Sequence, residues 1–238
     1  RAFSVFCLLD LGRPRRGTRH AWRLIGSLQG RGRDSDSAFR HFYYLNFLSI
    51  QKFCENTAAV LCQLEDLPFP SVCAVNGFAL GGGLEVALCT DYRLATDSAL
   101  LGFPEAGLGV LPGVGGTVKS PRLAGFETAL EWLSSGRQYS GKHALSAGMV
   151  DDIADDNSLR EKSLALLNEA ISGKLDWQQR RRQRKGSVEI NTEALENSFA
   201  KFKRSAKHYP AANTICELLQ RCAPLDRDAA LSEEAACF

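Results

Sequence analysis

The feature that most constrains this chain is a run of three glycines, Gly81 to Gly83, inside an otherwise apolar stretch. Before it lies the segment VCAV at 72–75, which is bounded by Pro70 and Gly77 and is typical of a buried parallel strand. Helix-forming residues follow at 84–89, so we expect the backbone to turn tightly and then enter a helix. Because the first amide N–H groups of a helix have no partner within it, such a turn can present donors to an anionic oxygen.

Two carboxylates, Glu85 and Glu105, lie 20 residues apart around this turn. Glu85 falls in the first turn of the expected helix, beside the unused N–H groups. Glu105 follows Pro104 in a glycine-dense segment, so we expect it on a loop after a strand rather than in a helix. Residues 91–95 are predicted to form another short strand. Paired carboxylates next to preorganised N–H donors suit acid–base chemistry on a carbonyl compound whose oxygen becomes negative.

A purely structural interpretation of the same residues is also open. The glycines can serve only close packing, Glu85 can be a first-turn residue favoured by the helix dipole, and Glu105 can be a solvated loop charge. A motif remains a hypothesis until its structural context is known. The residues alone therefore leave both interpretations standing.

The remainder of the chain is predicted to be largely helical. Apolar residues recur at helical spacing from 46 to 65, which predicts an amphipathic helix leading into the strand at 72–75. His143 is expected at the protein surface. Further helices are predicted at 127–133, 142–147, 157–171, 192–205 and 211–222, and a strand at 149–151.

Composition limits the classes of protein to consider. A length of 238 residues with 45% hydrophobic and 24% charged residues describes an ordinary globular chain, and a net charge of +2 requires no polyanionic partner. The eight cysteines include no C-x-x-C pair, which we interpret as the reduced thiols of a cytosolic enzyme. The four histidines are scattered, so no metal site is expected. Polar and glycine residues within 72–89 argue against a transmembrane helix.

Two segments are rich in basic residues. Residues 13–33 carry seven arginines, and they could form a nucleic-acid patch, part of a transit peptide or a solvated insertion. Composition favours the insertion. Residues 177–186 form a second basic run that ends in glycine, which we interpret as a solvated linker rather than a contact for the phosphate groups of a ligand or for RNA.

Several strings resemble the enoyl-CoA hydratase/isomerase (crotonase) superfamily: AVNGFALGGGLEVALCTDYRLAT, GFPEAGLGVLPGVGGTVKSPRLAG and ALSAGMVDDI. Others, LEDLPFPSVCAVNG, LDWQQRR and KHYPA, resemble the N-terminal hydratase part of the alpha subunit of the bacterial fatty-acid-oxidation complex. The resemblance covers roughly residues 42–222. It implies an α/β fold, a spiral of ββα units with a helical C-terminal extension, and we expect the first strands of that spiral to be missing.

The resemblance also implies a reaction, the hydration of a trans-2-enoyl-CoA to a 3-hydroxyacyl-CoA with Glu85 and Glu105 as catalytic residues. Gly82 and Cys7 are implied to donate backbone N–H groups to the thioester oxygen, and for Gly82 we expect a backbone shape that a Cβ would obstruct. Gly81 and Gly113 are implied to contact the substrate. No metal or other cofactor is expected, because acyl-CoA is the substrate. The same residues could instead move a double bond, as an isomerase does.

The expected organisation is an atypical N-terminal segment at 1–40, a hydratase/isomerase core at 41–176, and a basic linker with a helical extension at 177–238. No dinucleotide fingerprint follows the core. The expected setting is fatty-acid β-oxidation in a bacterial cytoplasm, with the mitochondrial matrix as an alternative, and the expected partners are an acyl-CoA thioester and a thiolase subunit. The alternative from another class is an interaction protein, either RNA-binding or catalytically inactive.

Overall fold

The computed structural model describes residues 5–9, 47–189 and 210–238. The arginine-rich segment 13–33 and the helix predicted at 192–205 lie outside the described residues, so the interpretations of those segments remain predictions. For β1 (Val5–Leu9), the backbone alone is described.

A four-stranded sheet has the order β1–β2–β4–β7, where β2 is Ser71–Val75, β4 is Tyr92–Thr96 and β7 is Asp152–Ala154. Strands β2, β4 and β7 are parallel, and β1 is antiparallel to β2. Every residue of β2 and β4 is buried, as expected for parallel strands covered on both faces. The strand predicted at 72–75 is therefore confirmed.

A second sheet of three strands is built from β3 (Phe78–Leu80), β5 (Leu100–Gly102) and β6 (Gln138–Ser140). Strand β3 follows β2 directly and β5 follows β4, so each strand pair contributes one strand to each sheet before the chain turns into a helix. Strands β3 and β5 are parallel, whereas β6 is antiparallel to β5. This repetition confirms the predicted α/β class built of ββα units.

Helices cover both sheets and were mostly predicted at the right places. The strand predicted at 149–151 instead begins at Asp152, because Met149 and Val150 are buried in the main core and Asp151 accepts a hydrogen bond from the Arg93 amide at 2.7 Å. His143 is exposed, as predicted. The helices are α1 (Phe47–Glu65), α2 (Gly82–Leu88), α3 (Gly116–Ala124), α4 (Phe126–Ser135), α5 (Gly141–Ser146), α6 (Leu159–Ile171), α7 (Trp177–Lys185), α8 (Pro210–Cys222) and α9 (Arg227–Ala235).

The basic run at 177–186 is helix α7, so its interpretation as a solvated linker is wrong. Arg181 and Arg184 are 7% and 6% exposed. The Arg181 guanidinium makes a two-pronged ion pair with the fully buried Asp91, with Nε to Oδ1 at 3.0 Å and Nη2 to Oδ2 at 2.6 Å. Arg184 donates to the backbone oxygen of Thr90 at 2.7 Å. The guanidinium groups tolerate burial because Asp91 and backbone carbonyls accept hydrogen bonds from them, although Nε of Arg184 has no hydrogen-bond partner among the described residues.

The C-terminal helices belong to the same core. Ile215 and Leu218 of α8 are fully buried, and burial of such a side chain contributes about 1.5–3 kcal/mol to stability. Helix α8 packs against α3 and α4, while α9 packs against α1 and α3. The end of the chain is thereby held against α3. This helix follows the second glycine cluster, residues 113–116.

Two general properties concern the described residues as a whole. Among the described helices, none combines the length and the apolar character needed to cross a bilayer. Within the same residues, no group of three or more His, Cys, Asp or Glu side chains is arranged to hold a metal ion.

Candidate active site

The tight turn into α2 is made at Gly81. Its φ of 53° lies in the left-handed region that favours glycine. The Gly81 N–H donates to the Gly102 carbonyl at 2.9 Å, which ties the end of β3 to the end of β5. The Gly81 carbonyl accepts from the amides of Leu84 and Glu85 at 2.8 and 3.0 Å. A Cβ on Gly81 would overlap Oε1 of Glu105, so this position has no room for a side chain.

Gly82 begins the helix without an unusual backbone shape, which corrects the prediction that its conformation requires glycine. It is absent from the residues with positive φ, and an added Cβ would meet the rest of the protein only at Oε2 of Glu85, at an ordinary 3.9 Å. As the first helical residue, Gly82 has an N–H that the helix ladder does not use. It also lines the cavity beside Glu85. A side chain here would therefore occupy the cavity rather than strain the fold.

Glu85 lies in the first turn of α2, as predicted, and is 2% exposed. Its Oε1 accepts hydrogen bonds from the backbone N–H of Val114 at 2.9 Å and of Gly116 at 2.8 Å. The donors thus come from the second glycine cluster and not from the triple glycine. Burial raises the pKa of Glu85, although these two N–H groups and the charge of Lys119 act in the opposite direction. One oxygen of the carboxylate is held, and the other lies on the side of Gly82.

Glu105 lies in a short 3₁₀ helix, Pro104–Leu108, which corrects the prediction of an irregular loop. Proline at the first helical position removes an N–H that would have no partner there, which is why Pro104 opens this turn. Among the described residues, Oε2 of Glu105 has no hydrogen-bond partner although it is buried. Burial raises the pKa of Glu105 to about 7; its own backbone N–H opposes this, and the charge of Glu85 adds to it.

Glu85 and Glu105 line one cavity of about 330 Å³ together with Gly82. The structure therefore brings together the two carboxylates that the sequence predicted. Apart from Thr57, the rest of the wall is apolar and comes from α1, Val86 of α2, the 110–114 segment and Phe238. The apolar lining residues are Phe53, Cys54, Leu61, Val86, Val110, Leu111, Val114 and Phe238.

Gly113 also lines this cavity, and the structure shows why it carries no side chain. A Cβ on Gly113 would lie 2.7 Å from Cζ of Phe238 and 3.0 Å from Sγ of Cys54. The absence of a side chain therefore lets α1 and the chain end close one wall of the cavity. The assignments of Gly81 and Gly113 as substrate contacts remain predictions.

Cys7, the residue expected to give a second N–H donor, lies in the middle of β1, where it is paired with Cys73 of β2. The backbone of Cys7 is extended there. The role assigned to Cys7 remains a prediction.

Glu234 of α9 is a further buried carboxylate, and its contact with the 115–117 segment was not predicted. It is 1% exposed, and its Oε1 accepts from the Gly115 N–H at 2.6 Å. Its Oε2 accepts from the Thr117 N–H at 3.0 Å and from the Thr117 hydroxyl. Glu234 lies 119 positions beyond Gly115 in an ordinary amphipathic helix, and no spacing or motif in the sequence connects the two.

Comparison with known proteins gives this geometry a context. Residues 43–211 match the family described as enoyl-CoA hydratase/isomerase. An enoyl-CoA hydratase subunit I from Geobacillus kaustophilus is 28% identical, with 77% of this chain and 64% of that chain covered and a TM-score of 0.50. The chain thus spans less than two thirds of that protein.

Two further solved structures are also similar to this chain. An enoyl-CoA hydratase from Bacillus anthracis is 25% identical, with 79% of this chain and 74% of that chain covered and a TM-score of 0.54. One from Rhodobacter sphaeroides is 21% identical, with coverage of 86% and 65% and a TM-score of 0.60, which is a likeness of fold. Since the family match extends over well more than half of the chain, and the fold is shared, the chain belongs to the enoyl-CoA hydratase/isomerase family.

Proposed function

We propose that this chain catalyses the reversible addition of water to a trans-2-enoyl-CoA, which gives a 3-hydroxyacyl-CoA. The observation that carries the proposal is the unlike environment of two carboxylates in one cavity. Oε1 of Glu85 receives two backbone N–H groups, whereas the buried Oε2 of Glu105 receives none among the described residues. N–H donors favour an ionised carboxylate, and burial without donors favours a protonated one.

These environments match the two proton transfers of hydration. Glu85, as the base, removes a proton from water while the water oxygen bonds to carbon 3. Glu105, as the acid, gives its proton to carbon 2. After the reaction Glu85 is protonated and Glu105 is ionised. The reverse reaction uses the same groups with their roles exchanged.

The thioester oxygen gains negative charge as water adds, so N–H donors directed at it stabilise the transition state more than the ground state. The Gly82 N–H, at the start of α2 and on the cavity wall, is suited to this role. We assign the second donor to the backbone of Cys7 and the substrate contacts to Gly81 and Gly113. Hydration causes no net gain or loss of electrons by the substrate, so the proposed reaction needs no redox cofactor.

Isomerase activity is a second candidate that one observation favours. Moving a double bond from position 3 to position 2 needs a single group that takes a proton from one carbon and returns it to another. Glu105 suits this task because burial brings its pKa to about 7, where it can both gain and lose a proton at neutral pH. The two activities share one cavity and one set of residues.

The wider setting is also part of the proposal. The strings that resemble the alpha subunit of the fatty-acid-oxidation complex suggest the hydratase step of β-oxidation, with a thiolase subunit as partner and the bacterial cytoplasm, or alternatively the mitochondrial matrix, as location. These points rest on the sequence resemblance. The apolar wall of the cavity is compatible with an acyl chain.

The decisive experiment is the turnover of crotonyl-CoA by the whole chain, followed as the loss of enoyl-thioester absorbance. The expected result is water addition that depends on Glu105 and is lost in Glu105→Gln. A folded chain that binds RNA or a thiolase subunit but gives no turnover would instead support the interaction-protein alternative. Turnover that persists at full rate in the folded variant would contradict the assigned site.

A further inference from the structure

We propose that Glu234 is a positioning residue for Glu85: it fixes the backbone segment whose N–H groups hold the Glu85 carboxylate. The inference rests on the proposed function, because it concerns the group assigned as the catalytic base. Glu234 lies on α9, outside the residues that line the cavity. It is therefore expected to act through Glu85 and not on the substrate.

The first observation is an alternation of hydrogen bonds along four consecutive residues. The N–H groups of Val114 and Gly116 point to Glu85, whereas those of Gly115 and Thr117 point to Glu234. Successive N–H groups of this segment thus face opposite sides, and each side is closed by one buried carboxylate. Loss of either carboxylate leaves two N–H donors of this segment without their acceptor.

The second observation is that the segment has few other means of keeping this shape. Gly115 has a φ of 114°, and a Cβ on Gly116 would lie 2.6 Å from Cβ of Pro112 and 3.0 Å from Oε1 of Glu85. Glycine makes the alternating shape accessible, but it does not enforce the shape. Two acceptors on opposite sides do enforce it.

The third observation is the charge balance around the pair. Burial raises the pKa of Glu234 to about 8, and the charge of Glu85 adds to this shift, so Glu234 is largely protonated near neutral pH. Lys119 of α3 acts in the opposite direction on both, but its Nζ is already paired with Glu65 of α1 at 3.2 Å.

Three other titratable groups face the pair. Cys54 of α1 and Cys222 of α8 are buried thiols whose pKa is raised, so both are neutral near pH 7. Glu105 faces Glu85 across the cavity. Glu234→Gln therefore leaves the charge around Glu85 nearly unchanged near neutral pH and acts through the acceptors of the 114–117 segment.

The test compares Glu234→Gln with Glu233→Gln. Both change one carboxyl group of the same helix to an amide, but the Glu233 side chain is 44% exposed and forms only a 3.8 Å pair with Arg221. The measurement is kcat/KM for crotonyl-CoA from pH 5 to 9. In Glu234→Gln the amide offers one acceptor oxygen in place of two, so the segment holds Glu85 less firmly; the acidic limb is expected to move to higher pH and kcat is expected to fall. In Glu233→Gln neither is expected to change.

A second readout separates this inference from the proposed function. The ¹³C shift of the glutamate carboxyl groups is followed with pH in the whole chain, and Glu85→Gln identifies the Glu85 signal. The Glu85 signal is expected to titrate at higher pH in Glu234→Gln than in the wild type. If the wild type shows no hydration, the proposed function fails, yet this titration still decides whether Glu234 maintains the hydrogen bonds to Glu85.

Thr117→Val provides a milder variant, in case Glu234→Gln does not fold. It removes the hydroxyl that contacts Glu234 and keeps the Thr117 N–H. Since one contact with Glu234 is lost while its N–H contacts remain, the Glu85 titration is expected to move in the same direction but by less. A folded Glu234→Gln with a lower melting temperature but an unchanged pH profile and an unchanged Glu85 titration would show a purely structural residue and would overturn the inference.

Discussion

Oε1 of Glu105 occupies the space beside Gly81 that a Cβ would need. The residue that turns the chain into α2 and the residue proposed as the acid are thus packed against each other. Gly81→Ala is expected to lower turnover strongly, because the new methyl group displaces the Glu105 carboxyl and the φ of 53° disfavours alanine. Turnover per folded molecule and the melting temperature are the two measurements.

The matched control is Gly83→Ala, two residues later in the same glycine run. A Cβ there would meet nothing within 4 Å, and alanine is the better helix former by about 1 kcal/mol. Equal effects of the two substitutions on turnover would argue against the packing relationship between Gly81 and Glu105.

Substitution of either proposed catalytic carboxylate is expected to abolish most hydration while the fold is kept. Glu85→Gln and Glu105→Gln each remove one proton-transferring group, which is worth about 100-fold to 10,000-fold in rate. If isomerase activity is present, it should depend more on Glu105 than on Glu85. Glu55→Gln, an exposed carboxylate on α1, is the control and should leave turnover unchanged.

Gly82→Val tests the proposed N–H donor at the start of α2. A valine side chain would extend into the cavity and obstruct the approach of the thioester oxygen, and loss of such a donor costs about 100-fold to 1,000-fold, or about 2.7 to 4 kcal/mol. The surrounding protein leaves room for a Cβ, so the melting temperature is expected to change little. A folded variant with normal turnover would leave only a packing role for this glycine.

The free energy of unfolding is expected to fall with rising pH because of Glu105. Its pKa is raised from 4.5 to about 7 in the folded state, so between these values the folded state binds more protons at this group than the unfolded state does. Stability contributed by the protonated carboxyl is therefore present below pH 4.5 and is lost by about pH 7. Urea unfolding of the wild type and of Glu105→Gln at several pH values should show a smaller slope in the variant.

Removal of Arg181 is expected to destabilise the fold strongly, because it leaves Asp91 buried without its main ionic partner. Breaking one side of a buried pair typically costs about 3–5 kcal/mol. Arg182→Ala removes the same charge from an exposed position of the same helix and should cost little. Similar unfolding midpoints for Arg181→Ala and Arg182→Ala would show that α7 is not anchored by this pair.

The sequence was sufficient to predict the two carboxylates of the site, but not the groups that hold them in place. The glycine run and the spacing of Glu85 and Glu105 are local signals, and both carboxylates do reach one cavity. The donors to Glu85, in contrast, come from Val114 and Gly116, and such a contact between distant residues has no sequence signature. Gly82 was assigned the unusual backbone that belongs to Gly81, because adjacent glycines are indistinguishable until the turn is seen.

The basic run at 177–186 shows a different limit. The charge of this run suggested exposure to solvent, yet Arg181 and Arg184 share one helix face and donate to Asp91 and to backbone carbonyls. A charged side chain is expected to be exposed only where no buried partner exists. The partner of Arg181 is Asp91, which lies 90 positions away in the sequence. Helical spacing of two arginines was a signal that could have indicated a buried face.

The hydrogen bonds from Gly115 and Thr117 to Glu234 also set an order of events during folding. Helix α9 is the last element that the structure describes, so the 114–117 segment gains its second acceptor only after contacts of long sequence separation have closed. Such contacts form late, because the entropy of closing the intervening chain must first be overcome. A growing chain on the ribosome can therefore assemble both sheets before α9 is available, and the carboxylate proposed as the base is fully held only when α9 docks.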